Sequence, residues 1–559
     1  MASLQAYDSH GHRYYRIVES FRQDGKPRLR VVAHLGRVED ILRLTRDERT
    51  DMRVSSVTSG AVTALHHLAQ ELDIVGKIDR ALENAVGRVQ KRDGLSVGES
   101  LLAGMISRVC APRSKRAFAA WAEATALPEL MGFVAKDLDS QHFWDQMHAL
   151  PVTLLGTIEA AIVRDVISIE QLQPQAVAYD TTNFYTHIAS TNTRPELPQR
   201  GHNKQGRHDL RQFGLALVVD QNTQLPLAHV LYEGARSDMR TFATFLKPVS
   251  ERLRALSPQP QQLTLVFDAG SSSKANLQKL EADSDHYVTA VRPSNQQSLL
   301  AEAADHLQEV ALSTGAVVRA WRTQRVIAGQ LRDAVVVFSP QLYEGQVRGL
   351  HQHLARCGEQ LKELGSAPRG TPEAVRRKLA QICGRQYLRT VVRYEVQSNK
   401  QGDTQVRSWS DLEEYRRLLQ HYFGLRVLIT DRSEWTTAQI VEAYRGQSRV
   451  EAAFRDLKDP CMLSTRPQFH WTDQKLHVHA FMCVTGYLLV RLLWWRARRD
   501  AGFAGSARNL LAELARIRCC RIVEHTGRAG RPRVRQQIEE IAPGLEKLGR
   551  LLRALPSLG

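Results

Sequence analysis

At 559 residues, with 43% hydrophobic and 24% charged side chains, the chain has room for three or four structural units at roughly 150 residues each. That excludes a disulfide-stapled miniprotein, wholesale disorder and a fibrous repeat. Lys plus Arg number 76 against 59 Asp plus Glu, a formal charge of +17 spread along the whole length, so the expected partner is a polyanion, nucleic acid first.

Seven cysteines without a CxxC pair read as reduced thiols of an intracellular protein, and the opening MASLQAYDSHGHRYYR lacks the apolar core of a signal peptide. Residues 12–36 alternate in the strand period, with Asp24-Gly25 between two β-rich runs, which predicts a hairpin inside a small basic β module over 1–50. Over 55–165 apolar residues recur every three to four positions, predicting a helical domain. Its stretches HLAQELDIVGKI and APRSKRAFAAWAE are candidates for DNA contact, amphipathic surface helices being the plainer reading.

Strands follow over 170–296: QAVAYDTTNFYTHI, then FGLALVVDQNTQLPLAHVLYEG with a hairpin turn at Asp220–Thr223, then the helix TFATFLKPVSERLRAL. The strand LTLVFD, the glycine turn AGSSS, the helix KANLQKLEAD and the strand HYVTAVR complete a mixed α/β sheet. Residues 297–422 add further strands and two charged helices and are expected to be an insertion. GLRVLIT resumes the sheet over 423–500, and SEWTTAQIVEAYRGQSRVEAAFRDLK is predicted as one long helix. The apolar run Ala480–Trp495 contains Arg491 and is shorter than the roughly 20 residues a bilayer requires, so a buried helix and no membrane partner are expected. The tail, 501–559, is predicted helical and basic around GRAGRPRVR.

Three carboxylates stand out. Asp180 ends one apolar strand and Asp268 ends another, which aims both at the sheet edge where ligands of α/β folds collect; an Asp capping the next turn is the alternative for each. Glu451 lies mid-helix. At a spacing of seven, Tyr444, Glu451 and Lys458 fall along one helical face with Gln447, Ser448 and Arg455 beside them, a ridge suited to holding a metal beside a phosphate backbone. Val450, Ala453, Phe454 and Leu457 form the apolar side; an exposed helix with a Glu451–Arg455 pair is the plainer account.

AYDTT, VFDAGSSSKAN and YRGQSRVEAAFRDLK resemble the three catalytic motifs of DDE transposases encoded by bacterial insertion sequences. The last is similar to the Tyr-x2-Arg-x3-Glu-x6-Lys signature of the insertion sequence four superfamily, matched by Tyr444, Glu451 and Lys458 but with Gln447 at the Arg position and Arg445 and Arg449 close by. The resemblance implies a ribonuclease-H-like catalytic domain interrupted by the insertion, with Asp180, Asp268 and Glu451 as catalytic, metal-binding carboxylates. It implies DNA-binding roles for Tyr444 and Lys458; Arg449 and Arg455 are further candidates for DNA contact. Mg2+ is the expected cofactor, as two ions, with Mn2+ a substitute. The expected partners are double-stranded DNA at the element ends and the target, and other copies of the chain; the expected location is the bacterial cytoplasm, at the nucleoid. The competing readings are a ribonuclease-H-like nuclease without joining activity and a catalytically inactive DNA-binding protein. His477 and His479 with Cys461 and Cys483 have poor zinc spacing, Asp209 and Asp238 read as solvated loop acids, and Trp321, Trp409 and Trp435 as core packing or a stacking residue for an extruded base.

Overall fold

The computed structural model describes residues 2–23, 26–45, 51–201, 206–256, 263–283, 285–366, 368–398, 404–465, 469–525 and 533–556. Alternating β-branched and aromatic residues form β1 (Ala2–Ser9), β2 (His12–Gln23) and β3 (Lys26–Gly36), an antiparallel three-stranded sheet. The expected turn residues Asp24 and Gly25 lie outside the described residues. β4 (Asp51–Thr58) pairs not with its neighbours in sequence but with the far end of the chain.

The next block is helical. Its helices, among them Gly60–Glu71, Val97–Cys110 and Val152–Ile169, pack around the long helix Asp473–Ala501. By length and composition that helix could cross a membrane, but 94% of its most apolar 18-residue window is buried inside the protein. Leu, Val and Phe on all its sides meet the helical block on one flank and β7 on another, which is how a helix that is apolar all round is accommodated.

The strands then build one sheet. β5 (Ala176–Tyr185), β6 (Gln212–Asp220), β7 (Pro226–Glu233), β8 (Thr264–Phe267), β9 (His286–Val291), β10 (Gln308–Ala311), β11 (Val317–Ile327), β12 (Gln330–Phe338) and β15 (Leu425–Thr430) are ordered β10-β11-β12-β15-β9-β8-β5-β6-β7. β5, β8 and β9 are parallel and the other pairings antiparallel. β6 is buried at every position, as the unbroken apolar run FGLALVV requires when both faces are covered.

Two expectations are corrected. The stretch 297–422 does not merely interrupt the sheet: β10, β11 and β12 extend it through β15, because VVVF is apolar at consecutive positions and buries both faces. Only its helices and the separate hairpin β13 (Val392–Ser398) and β14 (Thr404–Ser410) stand outside. The tail is not wholly helical either. RCCRIVEH forms β16 (Arg518–His525), paired with β4 on one side and β17 (Arg533–Ile538) on the other; β-branched residues find a partner strand 460 positions away, which no local pattern announces. Most of GRAGRPRVR lies outside the described residues.

Candidate active site

Two parallel strands fix the first two carboxylates. β5 and β8 run in register from Ala176 opposite Thr264 to Ala178 opposite Val266, and Asp180 and Asp268 each lie two residues beyond that last pair. Both therefore stand at one level, on adjacent strands, at the carboxyl end of β8; Asp180 does not end its strand as expected, because β5 runs on to Tyr185 paired with β6. Asp180 is half-buried and Asp268 exposed. The Asp180 Oδ1 accepts the Thr181 N–H at 2.8 Å and the Asp268 Oδ1 the Ala269 N–H at 2.7 Å. The turn after Asp268 is pinned: the Ser271 N–H donates to the Asp268 carbonyl at 3.0 Å, and buried Asn276 donates its Nδ2 to the Ser271 carbonyl at 2.8 Å. Ser273 caps the helix Lys274–Ala282 that follows.

The helix expected to run unbroken to Lys458 is two helices, Thr437–Arg445 and Ser448–Lys458. Gly446 and Gln447, at the junction, keep right-handed helical backbone angles, and the space around Gly446 is tight. A Cβ at Gly446 would lie 2.1 Å from the Gln221 Oε1, and Gln221 donates its Nε2 to the Ala443 carbonyl at 2.9 Å, so the chain is drawn tightly onto the end of β6. Gln447, 8% exposed, donates its Nε2 to the Tyr179 carbonyl at 2.7 Å. The residue standing where the signature has Arg thus clamps the strand position directly before Asp180.

Past the junction the second helix packs on β5 and β6 through Val450, Ala453, Phe454 and Leu457, the apolar side read from the sequence. Glu451 and Arg455 stay exposed and make no ion pair with each other among the described residues. Lys458 donates to the Thr182 hydroxyl, two residues beyond Asp180, and its Nζ lies 5.2 Å from the centre of the Phe184 ring. Tyr444 is 7% exposed and donates its hydroxyl to the Asp268 Oδ1 at 3.3 Å, with the Arg426 guanidinium 5.3 Å from its ring centre. Burial, and then the charges of Asp268 and Glu451, push the Tyr444 phenol well above its ordinary range; it is a neutral donor at any working pH.

The single helix expected to carry Tyr444, Glu451 and Lys458 along one face, with Tyr444 open to DNA, is corrected accordingly. The three sit on two helices, and burial of the phenol against the sheet outweighs its exposure to solvent. Arg449 is not brought to Glu451. Two residues apart is about 200° around a helix, and Arg449 instead lines a separate cleft of about 530 Å³ with Trp435, Gln439 and Arg445.

The donor chemistry fits a hard divalent cation: carboxylate oxygens at an open sheet edge, where an ion keeping part of its water shell is accommodated. Among the described residues no three or more His, Cys, Asp or Glu side chains are closed around a metal position; Asp180 and Asp268 are neighbours by strand register, without a preformed cage. His479 packs against His470 and Cys483 in the interior, Asp209 pairs with Arg207 at the surface, and Trp321 stacks on His306. The Asp238 side chain lies outside the described residues. Sequence reasoning missed Arg426 over Tyr444 and the Asn276 tie. The first had no local signal; the second could be suspected from an Asn just inside a capped helix.

The model of the transposase DDE domain matches residues 171–483, more than half of the chain. The chain belongs to the DDE transposase family. The model of the IS1634 family transposase N-terminal domain matches residues 6–54, the three-stranded sheet and the helix after it, in keeping with a transposase of a bacterial insertion sequence. No curated protein matches the sequence. Among solved structures, the piggyBac transposase synaptic complex with hairpin DNA is similar at 10% identity and a TM-score of 0.37, covering 80% of this chain and 79% of that one; the assignment rests on the family match and not on this likeness. The transposase is a DNA-binding enzyme that cuts and joins DNA with divalent metal.

Proposed function

We propose that Asp180, Asp268 and Glu451 are the carboxylates at which this transposase cuts its element free and joins it to a target. The observation that carries the reading is the parallel register of β5 and β8, which sets Asp180 and Asp268 side by side, while the helix bearing Glu451 packs across β5 and β6. The order β7-β6-β5-β8-β9, with three antiparallel strands followed by two parallel ones, supports a ribonuclease-H-like core, with the 297–422 segment as an elaboration on its far edge.

Two Mg2+ ions bound there, or Mn2+ in their place, would supply charge to activate a water or 3′-hydroxyl and to stabilise the leaving oxygen of an in-line displacement at phosphorus. The protein's own residues do the placing. The Tyr444 hydroxyl orients the Asp268 carboxylate, Gln447 holds the strand before Asp180, and Lys458, half-buried beside Thr182, brings positive charge to the strand on which Asp180 lies. Arg455, exposed one turn beyond Glu451, is placed for a phosphate. Double-stranded element ends and target DNA are the substrates, a homo-oligomer holds two ends together, and the bacterial nucleoid is the site of action.

The test is strand cleavage and strand transfer with Mg2+ on the flanking element ends. Asp180→Asn, Asp268→Asn and Glu451→Gln each remove one charge and almost no volume. Each should abolish both reactions while binding of the ends stays within a few-fold of wild type. A variant that retains near wild-type cleavage removes that residue from the site.

A further inference from the structure

The segment that leads from the Glu451 helix to the long buried helix carries Phe469, His470 and Trp471, none of which has a part in the site above. His470 is 3% exposed, whereas Phe469 and Trp471 are 53% and 61% exposed. The histidine is an anchor: its Nε2 lies 3.2 Å from the Lys115 Nζ, and its ring packs against Trp144 and His479. Asn192 donates its Nδ2 to the Trp471 carbonyl at 3.2 Å, and Thr472 caps the next helix. The backbone is thus held between and after two large rings that it leaves in solvent. Exposed aromatic surface rimmed by charge marks a place where something binds.

The rim is cationic. Lys115 and Lys475 sit 4.6 and 5.1 Å from the centre of the same Trp144 ring, and Arg113 and Arg116, close to Lys115 in sequence, are exposed. Asp473, on the turn that carries Lys475, accepts the backbone N–H groups of Glu196 and Leu197 at 2.8 and 3.1 Å. Burial and the nearby Arg108 and Lys475 push the Lys115 ammonium down to about 7, so it is only part-charged at neutral pH and a neighbouring anion would favour its charged form. The Phe469 ring is 5.6 Å from that of His187, seven residues after Asp180, or about 23 Å of extended chain.

We propose that Phe469 and Trp471, with Lys115, Lys475, Arg113 and Arg116 behind them, form a binding site for an unpaired stretch of DNA strand running from the carboxylates. Every base has a π face, but only an unpaired base offers it to a side chain, and stacking on aromatic rings combined with cations along the backbone is how unpaired strands are held. A continuous duplex would satisfy the cations and leave the exposed faces of both rings uncovered. The proposal rests on the assignment of Asp180 and its neighbours only for the direction of the strand.

The experiment measures binding of the full-length protein, at fixed salt, to an element-end duplex carrying a protruding unpaired strand with 2-aminopurine, and to the same duplex without it. Phe469→Ala and Trp471→Ala change surface residues and should leave the circular dichroism spectrum unchanged. Each should weaken binding of the tailed DNA about tenfold or more, abolish the 2-aminopurine quenching, and leave duplex affinity within twofold. Wild-type affinity and quenching in both variants would overturn the site, and an equal loss on tailed and plain duplex would assign the rings to duplex instead. Asp180→Asn, assayed for cleavage in parallel, separates the two readings: a cleaving Asp180→Asn sinks the proposed active site alone, whereas silent ring variants sink this one alone.

Discussion

Tyr444 shows how a single hydroxyl is placed by burial. Its ring is covered by the sheet and by Arg426, and its one polar atom finds the Asp268 Oδ1. Asp268 is solvent-exposed, so loss of this hydrogen bond would be repaired by water at a cost of no more than about 1 kcal/mol. The orientation of the carboxylate is a different matter, since a misplacement of about 1 Å costs roughly a hundredfold in rate. Tyr444→Phe should therefore lower single-turnover cleavage by about 10- to 100-fold while the urea unfolding midpoint barely moves. A rate within twofold of wild type would show that Asp268 does not depend on the phenol.

At the scale of elements, the junction between the two helices of the Glu451 segment is where geometry is decided. Gly446 allows the chain to approach Gln221, and Gln447 hangs the second helix from the Tyr179 carbonyl. A buried carbonyl that loses its donor costs about 1–3 kcal/mol, and here the loss would fall on the strand position beside Asp180. Gln447→Ala should lower the free energy of unfolding by about that amount and also slow cleavage, because the helix that carries Glu451 is hung from this bond. Urea denaturation read beside cleavage checks both halves; a destabilised variant with unchanged cleavage would mean the clamp serves the fold alone. A sequence reading that treats 436–458 as one periodic helix cannot see the junction, because Gly446 and Gln447 both keep right-handed helical angles; what the sequence does not announce is how closely Gln221 approaches Gly446.

For the whole molecule, the charge of +17 is the dominant long-range property. Binding to DNA should weaken with salt by a slope of about −0.9 in log K against log salt for each phosphate neutralised, so several contacts give a steep line. Affinity titrations between roughly 50 and 200 mM salt measure it, and a flat response would contradict a phosphate-dominated interface. The architecture distributes this charge over units tied together at long range: β4 pairs with β16, and the helix Asp473–Ala501 is shared between the helical block and the sheet. Cooperative unfolding of those parts follows from that sharing.

Local periodicity and turn chemistry were enough to place the strands that carry Asp180 and lead to Asp268, the apolar side of the Glu451 helix, the Asp220–Thr223 hairpin and the buried nature of the long apolar helix, but not the length of β5, which runs on past Asp180 to Tyr185. The transposase family was legible for the same reason: its motifs are short and contiguous. Long-range packing set Asp180 and Asp268 level on parallel neighbours, turned Tyr444 inward, extended the main sheet with β10–β12, and returned the tail to β4. Those outcomes depend on which surfaces meet across hundreds of residues. A periodic pattern states that a face will be buried, and the partner that buries it is chosen by the packing of the whole chain.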